Sequence, residues 1–164
     1  MWYILILIII TVGIFATIKW DKARKEKQSK NGWVRGTGVN LIEYISGHPE
    51  LNTPLKPIMA YKVSDRLELV NDLTLKKLAE IPTNSIQKIE VEDQSTLEKR
   101  ISLTRVALVG VLALVWQKKK KNELAYLIIY WNDGRLEHET LFQFEGMQAL
   151  NLANTAKNQL IKLL

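Results

Sequence analysis

Cysteine is absent from the 164 residues of the chain. That absence excludes disulfides, thiolate nucleophiles and cysteine-ligated zinc or iron, and leaves the compartment open. Histidine is nearly as scarce. With only His48 and His138, far apart in sequence, a histidine metal site would have to recruit carboxylates from elsewhere. No metal or other cofactor is expected. Recognisable catalytic patterns are also missing. Gly36, Thr37 and Gly38 are followed neither by the lysine and hydroxyl of a P-loop nor by a dinucleotide glycine series, so they read as a flexible turn. Asp65, Asp72, Glu90, Glu92 and Glu98 are scattered, with no partner to make a nucleophile-base pair or paired carboxylates, so no enzyme is expected.

The most informative deficit is of charge at the N-terminus. No side chain from Met1 to Ile18 is charged, and Ile4, Leu5, Ile6, Leu7, Ile8, Ile9 and Ile10 continue through Val12, Ile14 and Phe15. Eighteen helical residues reach about 27 Å, close to the roughly 30 Å of bilayer hydrocarbon. Residues 1–18 therefore read as a transmembrane helix. Trp2 and Tyr3 at one end and Trp20 at the other stand where amphipathic rings favour the interface. A cleaved signal peptide would begin with positive residues, have a shorter apolar core and end in small-x-small, and none of these is present.

Basic residues follow at once in Lys19, Lys22, Arg24, Lys25, Lys27 and Lys30, diluted by Asp21 and Glu26. By the positive-inside rule they stay in the cytoplasm, which places the N-terminus outside and the rest of a single-pass protein inside the cell membrane. Residues 19–32 read as a basic juxtamembrane tether, with residues 22–31 either a short linker or a cytoplasmic extension of the helix. Lys19, Lys22, Arg24, Lys25 and Lys27 are candidate contacts for anionic lipid; the plainer reading is a topology signal. The net charge of +6 fits an anionic surface nearby.

Residues 33–164 have the length to build their own core. Asn40 predicts the cap of a short amphipathic helix through Ile45, ended by Gly47, His48 and Pro49. Met59, Tyr61 and Val63 alternate with Ala60 and Lys62, Ser64 and Asp65 turn, and Leu67 and Leu69 resume until Asn71 and Asp72 turn again. Residues 75–81 predict a third strand ended by Pro82. Ile86, Ile89 and Val91 mark a fourth and residues 97–103 a fifth. Residues 124–131, the turn Asn132-Asp133-Gly134 and the alternation Leu136, Thr140, Phe142, Phe144 predict a hairpin. After Gly146 the period becomes helical, with Met147, Leu150, Ala153, Leu160 and Leu164 on or near one face of a helix covering the sheet. His138 sits on the alternating face of its strand and reads as a packed, hydrogen-bonded histidine.

Residues 106–116 form a second apolar run, followed by Lys118, Lys119, Lys120 and Lys121. A membrane span, a buried strand, a core helix and an element dipping into the membrane surface all fit its composition. Eleven helical residues reach only about 16 Å, and extension backward brings in Arg105. A second crossing would also carry four lysines outside, so the run belongs with the domain. The lysines read as a solvated loop or as a second contact with anionic lipid. Nucleic acid is not expected, because no stacking platform accompanies the positive charge.

An ordered set of features carries a resemblance over residues 40–162: Tyr44 with Gly47-His48-Pro49, the meander over 58–81, Ile81-Pro82 leading to Ser85-Ile86, Thr104-Arg105 before the apolar run, the lysines, Tyr126-Leu127-Ile128-Ile129 and the terminal helix. In that order they resemble the bacterial pleckstrin-homology-like domains, relatives in fold of the PH and GRAM modules. The resemblance implies a mainly β fold, a bent seven-stranded sheet or barrel closed by a C-terminal helix, without intrinsic chemistry. Eukaryotic relatives often bind phosphoinositides, but no clear phosphate-binding motif lies between the early strands here. It implies a binding or scaffold module at the cytoplasmic face, with membrane lipid and a protein or peptide as partners. Membrane-anchored bacterial members similar to sublancin-type immunity proteins supply the alternative, a bacteriocin immunity function.

Overall fold

The computed structural model describes residues 2–34, 36–104 and 123–164, without the side chains of residues 101–104. The apolar run 106–116 and Lys118, Lys119, Lys120 and Lys121 lie outside the described residues. Helix α1 (Trp2–Lys30) precedes strands β1 (Val39–Ser46), β2 (Leu55–Val63), β3 (Arg66–Asn71), β4 (Lys76–Pro82) and β5 (Ile86–Asp93). Helix α2 (Gln94–Thr104), strands β6 (Leu124–Asn132) and β7 (Glu137–Glu145) and helix α3 (Ala149–Leu163) follow. The first helix is long and apolar enough to cross a membrane. It does not stop at Ile18 but continues unbroken through the basic segment, so residues 22–30 are the helical extension and not an unstructured linker.

The strands form one bent antiparallel sheet in the order β4-β3-β2-β1-β7-β6-β5. Its concave face holds the main core, where Leu41, Ile58, Leu67, Leu69, Ile81, Leu127, Ile129, Phe142 and Phe144 pack together. Helix α3 lays Ala149, Ala153, Ala156 and Leu160 onto this face, whereas Met147, Leu150 and Leu164, expected on it with Ala153 and Leu160, are exposed. The buried positions recur at three- and four-residue spacing, so one stripe of the helix is apolar, and alanines let its backbone come close to the sheet. The opposite face carries two smaller clusters. Ile45, Leu124, Tyr126, Ile128 and Leu141 gather with Leu97 of α2, while Trp33, Tyr61, Val70 and Leu75 gather where α1 meets β2 and β3. Strand β6 is therefore buried on both sides over Leu124–Ile129, which explains its nearly continuous apolar sequence.

Two local expectations are corrected. Residues 40–45 form strand β1, not a helix, pairing with β2 on one side and β7 on the other. Register shifts at Asn40/Ile42, Ile42/Tyr44 and Tyr44/Ser46 break the two-residue alternation, so the apolar spacing imitates a helical period. The Asn40 side chain accepts from the amide of Ile42 at 3.0 Å, and Ile42, at the irregularity, has φ +61°. Residues 97–103 lie in helix α2, not a fifth strand. Asp93 starts it by accepting from the Thr96 amide at 2.7 Å and the Ser95 hydroxyl at 2.8 Å, bonds that hold its carboxyl below the usual carboxylate range. Leu97 marks the face of α2 turned to the sheet.

Candidate functional site

The seam where α1 meets the domain is built by a helix terminator. Around Asn31-Gly32 the Trp33 amide donates to Gln28 O at 2.9 Å and the Gly32 amide to Ser29 O at 3.1 Å. This pair of bonds is a Schellman motif with Gly32 at φ +72°, a position that favours glycine. It turns the chain so that Trp33 folds back beneath the helix end. The Trp33 ring stacks on Tyr61 with centroids 5.6 Å apart, and its indole N–H donates to the Glu68 carboxylate at 2.7 Å. Gln28 is the only buried residue of α1 and donates to the Tyr61 hydroxyl at 3.2 Å. Burial of Tyr61 pushes its pKa up.

Toward the membrane-length end of the helix, contact continues. Arg24 forms a short ion pair with Asp72 in the turn between β3 and β4, and the Lys27 ammonium donates to Thr74 O at 2.7 Å. The Arg24 guanidinium also lies 5.6 Å over the Trp20 ring. Three contacts fall within about 6 Å of helix rise, from Arg24 to Gln28, and tie this part of the helix to the sheet. The five lipid-contact candidates of this segment thus divide. Arg24 and Lys27 are committed to the domain, whereas Lys19 and Lys22 are exposed and Lys25 pairs with Asp21 at 2.8 Å. Lys118, Lys119, Lys120 and Lys121 lie outside the described residues.

The sequence reading missed Asp72 as a counter-ion, Tyr61 and Glu68 as docking partners, and Trp33 as their anchor. Asn31-Gly32 before a tryptophan, at the end of a helical run, was the available signal for the last of these. The nearby charges form a connected network: Lys77 reaches Glu68 at 3.0 Å and Glu80 at 2.5 Å, and Arg66 reaches Glu80 at 3.1 Å. Bonds from Lys77 and Arg66 hold the Glu80 carboxyl below its usual range. The other scattered carboxylates have local partners too. Asp65 lies 3.6 Å from Arg66, Glu90 2.6 Å from Lys88, and Glu92 3.2 Å from Arg100, while Glu98 accepts from Gln94 at 2.7 Å.

The two histidines, distant in sequence, both lie against Trp131, with ring centroids 5.3 Å (His48) and 4.4 Å (His138) from it. His48 is buried; its Nδ1 accepts from the Glu50 amide at 3.2 Å, so its Nε2 donates to Glu80 O at 3.1 Å. With both nitrogens occupied in the neutral ring, burial pushes its pKa down. His138 bonds Asp133 at 2.8 Å. Among the described residues no group of three or more histidine and carboxylate side chains is placed to hold a metal ion. Compared with known proteins, the chain matches no protein-family model, no curated protein and no solved structure.

Proposed function

We propose that the chain is a non-enzymatic binding or scaffold module, held at the cytoplasmic face of the cell membrane by a single N-terminal crossing, that recognises a protein or peptide. The observation that carries this reading is the seam: one continuous helix leads out of the apolar segment and is bonded to the sheet at Asp72, Thr74 and Tyr61. A module on a loose string samples every orientation. One locked to its anchor presents the same faces at the same height, which reduces the orientational cost of meeting a partner that also lies at the membrane. The charge-free residues 1–18 and the basic flank after them support the crossing and its direction. The PH-like resemblance supports an interaction fold.

The test is affinity capture from detergent-solubilised membranes with the full-length protein as bait, beside the Trp33→Ala variant, which weakens the seam. A specific polypeptide recovered with the native chain and depleted with the variant is the expected result. Recovery of bait alone would count decisively against the proposal.

A further inference from the structure

Trp20, Ala23, Arg24 and Lys27 of α1 and Leu73, Thr74 and Leu75 of the β3–β4 turn line a shared cavity of about 160 Å³. The turn is therefore fixed at the level of the helix just past its interfacial tryptophan. Arg24 lies four residues beyond Trp20 along the helix, a rise of about 6 Å, and each headgroup layer of a bilayer is roughly 5–8 Å thick. Since Arg24 binds Asp72, the turn lies within that layer if Trp20 marks its inner edge.

The turn suits such a place chemically. Its one acidic side chain, Asp72, is neutralised by Arg24. Asn71 locks its shape by accepting from the amides of Leu73 (3.1 Å) and Thr74 (2.9 Å) and from the Thr74 hydroxyl (3.0 Å). The tip that this rigid turn holds outward is Leu73, 68% exposed. A lone exposed leucine is ordinary on a protein surface. This one shares a cavity with Trp20 and with Lys27, whose ammonium donates to Thr74 O, and the exposed Lys76 follows the turn in sequence. An apolar tip with a tryptophan and lysines beside it matches the boundary between acyl chains and anionic headgroups, where a lysine attracts lipid and the leucine leaves water.

We infer that the β3–β4 turn is a second membrane contact, inserting Leu73 into the surface of an anionic phospholipid bilayer beside Trp20. This rests on the membrane reading above and goes beyond it, because it sets which end of the domain faces lipid. Arg24 then acts as a strut, coupling the crossing helix to the contact.

The absence of native cysteine makes the test direct. Leu73→Cys, Asp65→Cys and Ile10→Cys, each in the full-length chain, carry an environment-sensitive fluorophore in vesicles of phosphatidylcholine and phosphatidylglycerol with or without nitroxide-bearing lipid. Asp65 is the control, at the other end of β3 from the turn, about 20 Å away along the strand. Ile10 reports the crossing itself. The expected result is strong quenching at Ile10, several-fold stronger quenching at Leu73 than at Asp65, and loss of the Leu73 signal when Arg24→Ala is added. Quenching at Ile10 with Leu73 as water-exposed as Asp65 overturns the second contact and spares the crossing. A water-exposed Ile10 overturns both.

Discussion

Replacing Trp33 with alanine should cost the domain about 3–5 kcal/mol, the range for truncating a buried tryptophan. The ring is 2% exposed, stacked on Tyr61 and packed with Val70 and Leu75, so its removal leaves a cavity under the end of α1. It also strips the Glu68 carboxylate of its indole donor, although Lys77 remains 3.0 Å away. Trp33→Phe keeps much of the packing and loses the N–H, which should reduce the cost to about 1–3 kcal/mol, the penalty of one unmatched buried acceptor. Urea unfolding in mild detergent, followed by circular dichroism of the sheet, measures both. A loss below about 1 kcal/mol for the alanine variant would mean that the seam is superficial.

The second large effect belongs to Gly47, on the opposite flank of β1. Its φ is +91°, and a Cβ built there would stand 1.7 Å from the carbonyl oxygen of Glu139 and 2.7 Å from its carbon. Both atoms are backbone of β7, the strand paired to β1, so no side-chain rotation relieves the clash. Gly47→Ala must therefore push β1 and β7 apart near the Ser46↔Leu141 pair, beside His48 and Tyr44. Tyr44 organises that corner, accepting from the His48 amide at 3.0 Å and donating to Leu51 O at 2.9 Å. We expect a loss above about 4–5 kcal/mol, in the exceptional range for one substitution, seen as little folded protein and a collapsed near-ultraviolet signal. A variant within about 1 kcal/mol of the native chain would show that Gly47 does not lie against the backbone of β7 as described.

What could be read from sequence followed from how local the determining contacts are. The apolar helix is declared by composition alone. The hairpin at Asn132-Asp133-Gly134 is equally self-contained: Asn132 accepts from the Gly134 amide at 2.6 Å, and Asp133 accepts from the amides of Arg135 and Leu136, both at 2.8 Å. Its turn residues bond their own neighbours, so their identity suffices. Strand β1 failed because its bulges exist only against β2 and β7, which sequence spacing does not contain. Helix α2 was missed although its start signal, Asp93 before Ser95 and Thr96, is local and stands in the sequence.

The seam was the least legible feature for the same reason as β1. Met59, Tyr61 and Val63 were read as an alternating strand face, but the main core takes Ile58 and Ala60, while the other face waits for Trp33. Arg24 and Lys27 looked like members of a uniform basic flank. Only the fold brings Asp72 and Thr74 to them across an interval of more than forty residues, turning part of that basic flank into a docking surface.

The central claim is that the membrane-length helix and the domain form one body. Electron paramagnetic resonance distance measurement between nitroxides on Lys22→Cys and Lys76→Cys, in the full-length chain within a lipid nanodisc, tests it most directly. A docked helix predicts a single narrow distance distribution that broadens when Arg24 and Trp33 are both replaced by alanine. A broad distribution in the native sequence, unchanged by those replacements, would contradict it and return residues 19–32 to the role of a loose tether.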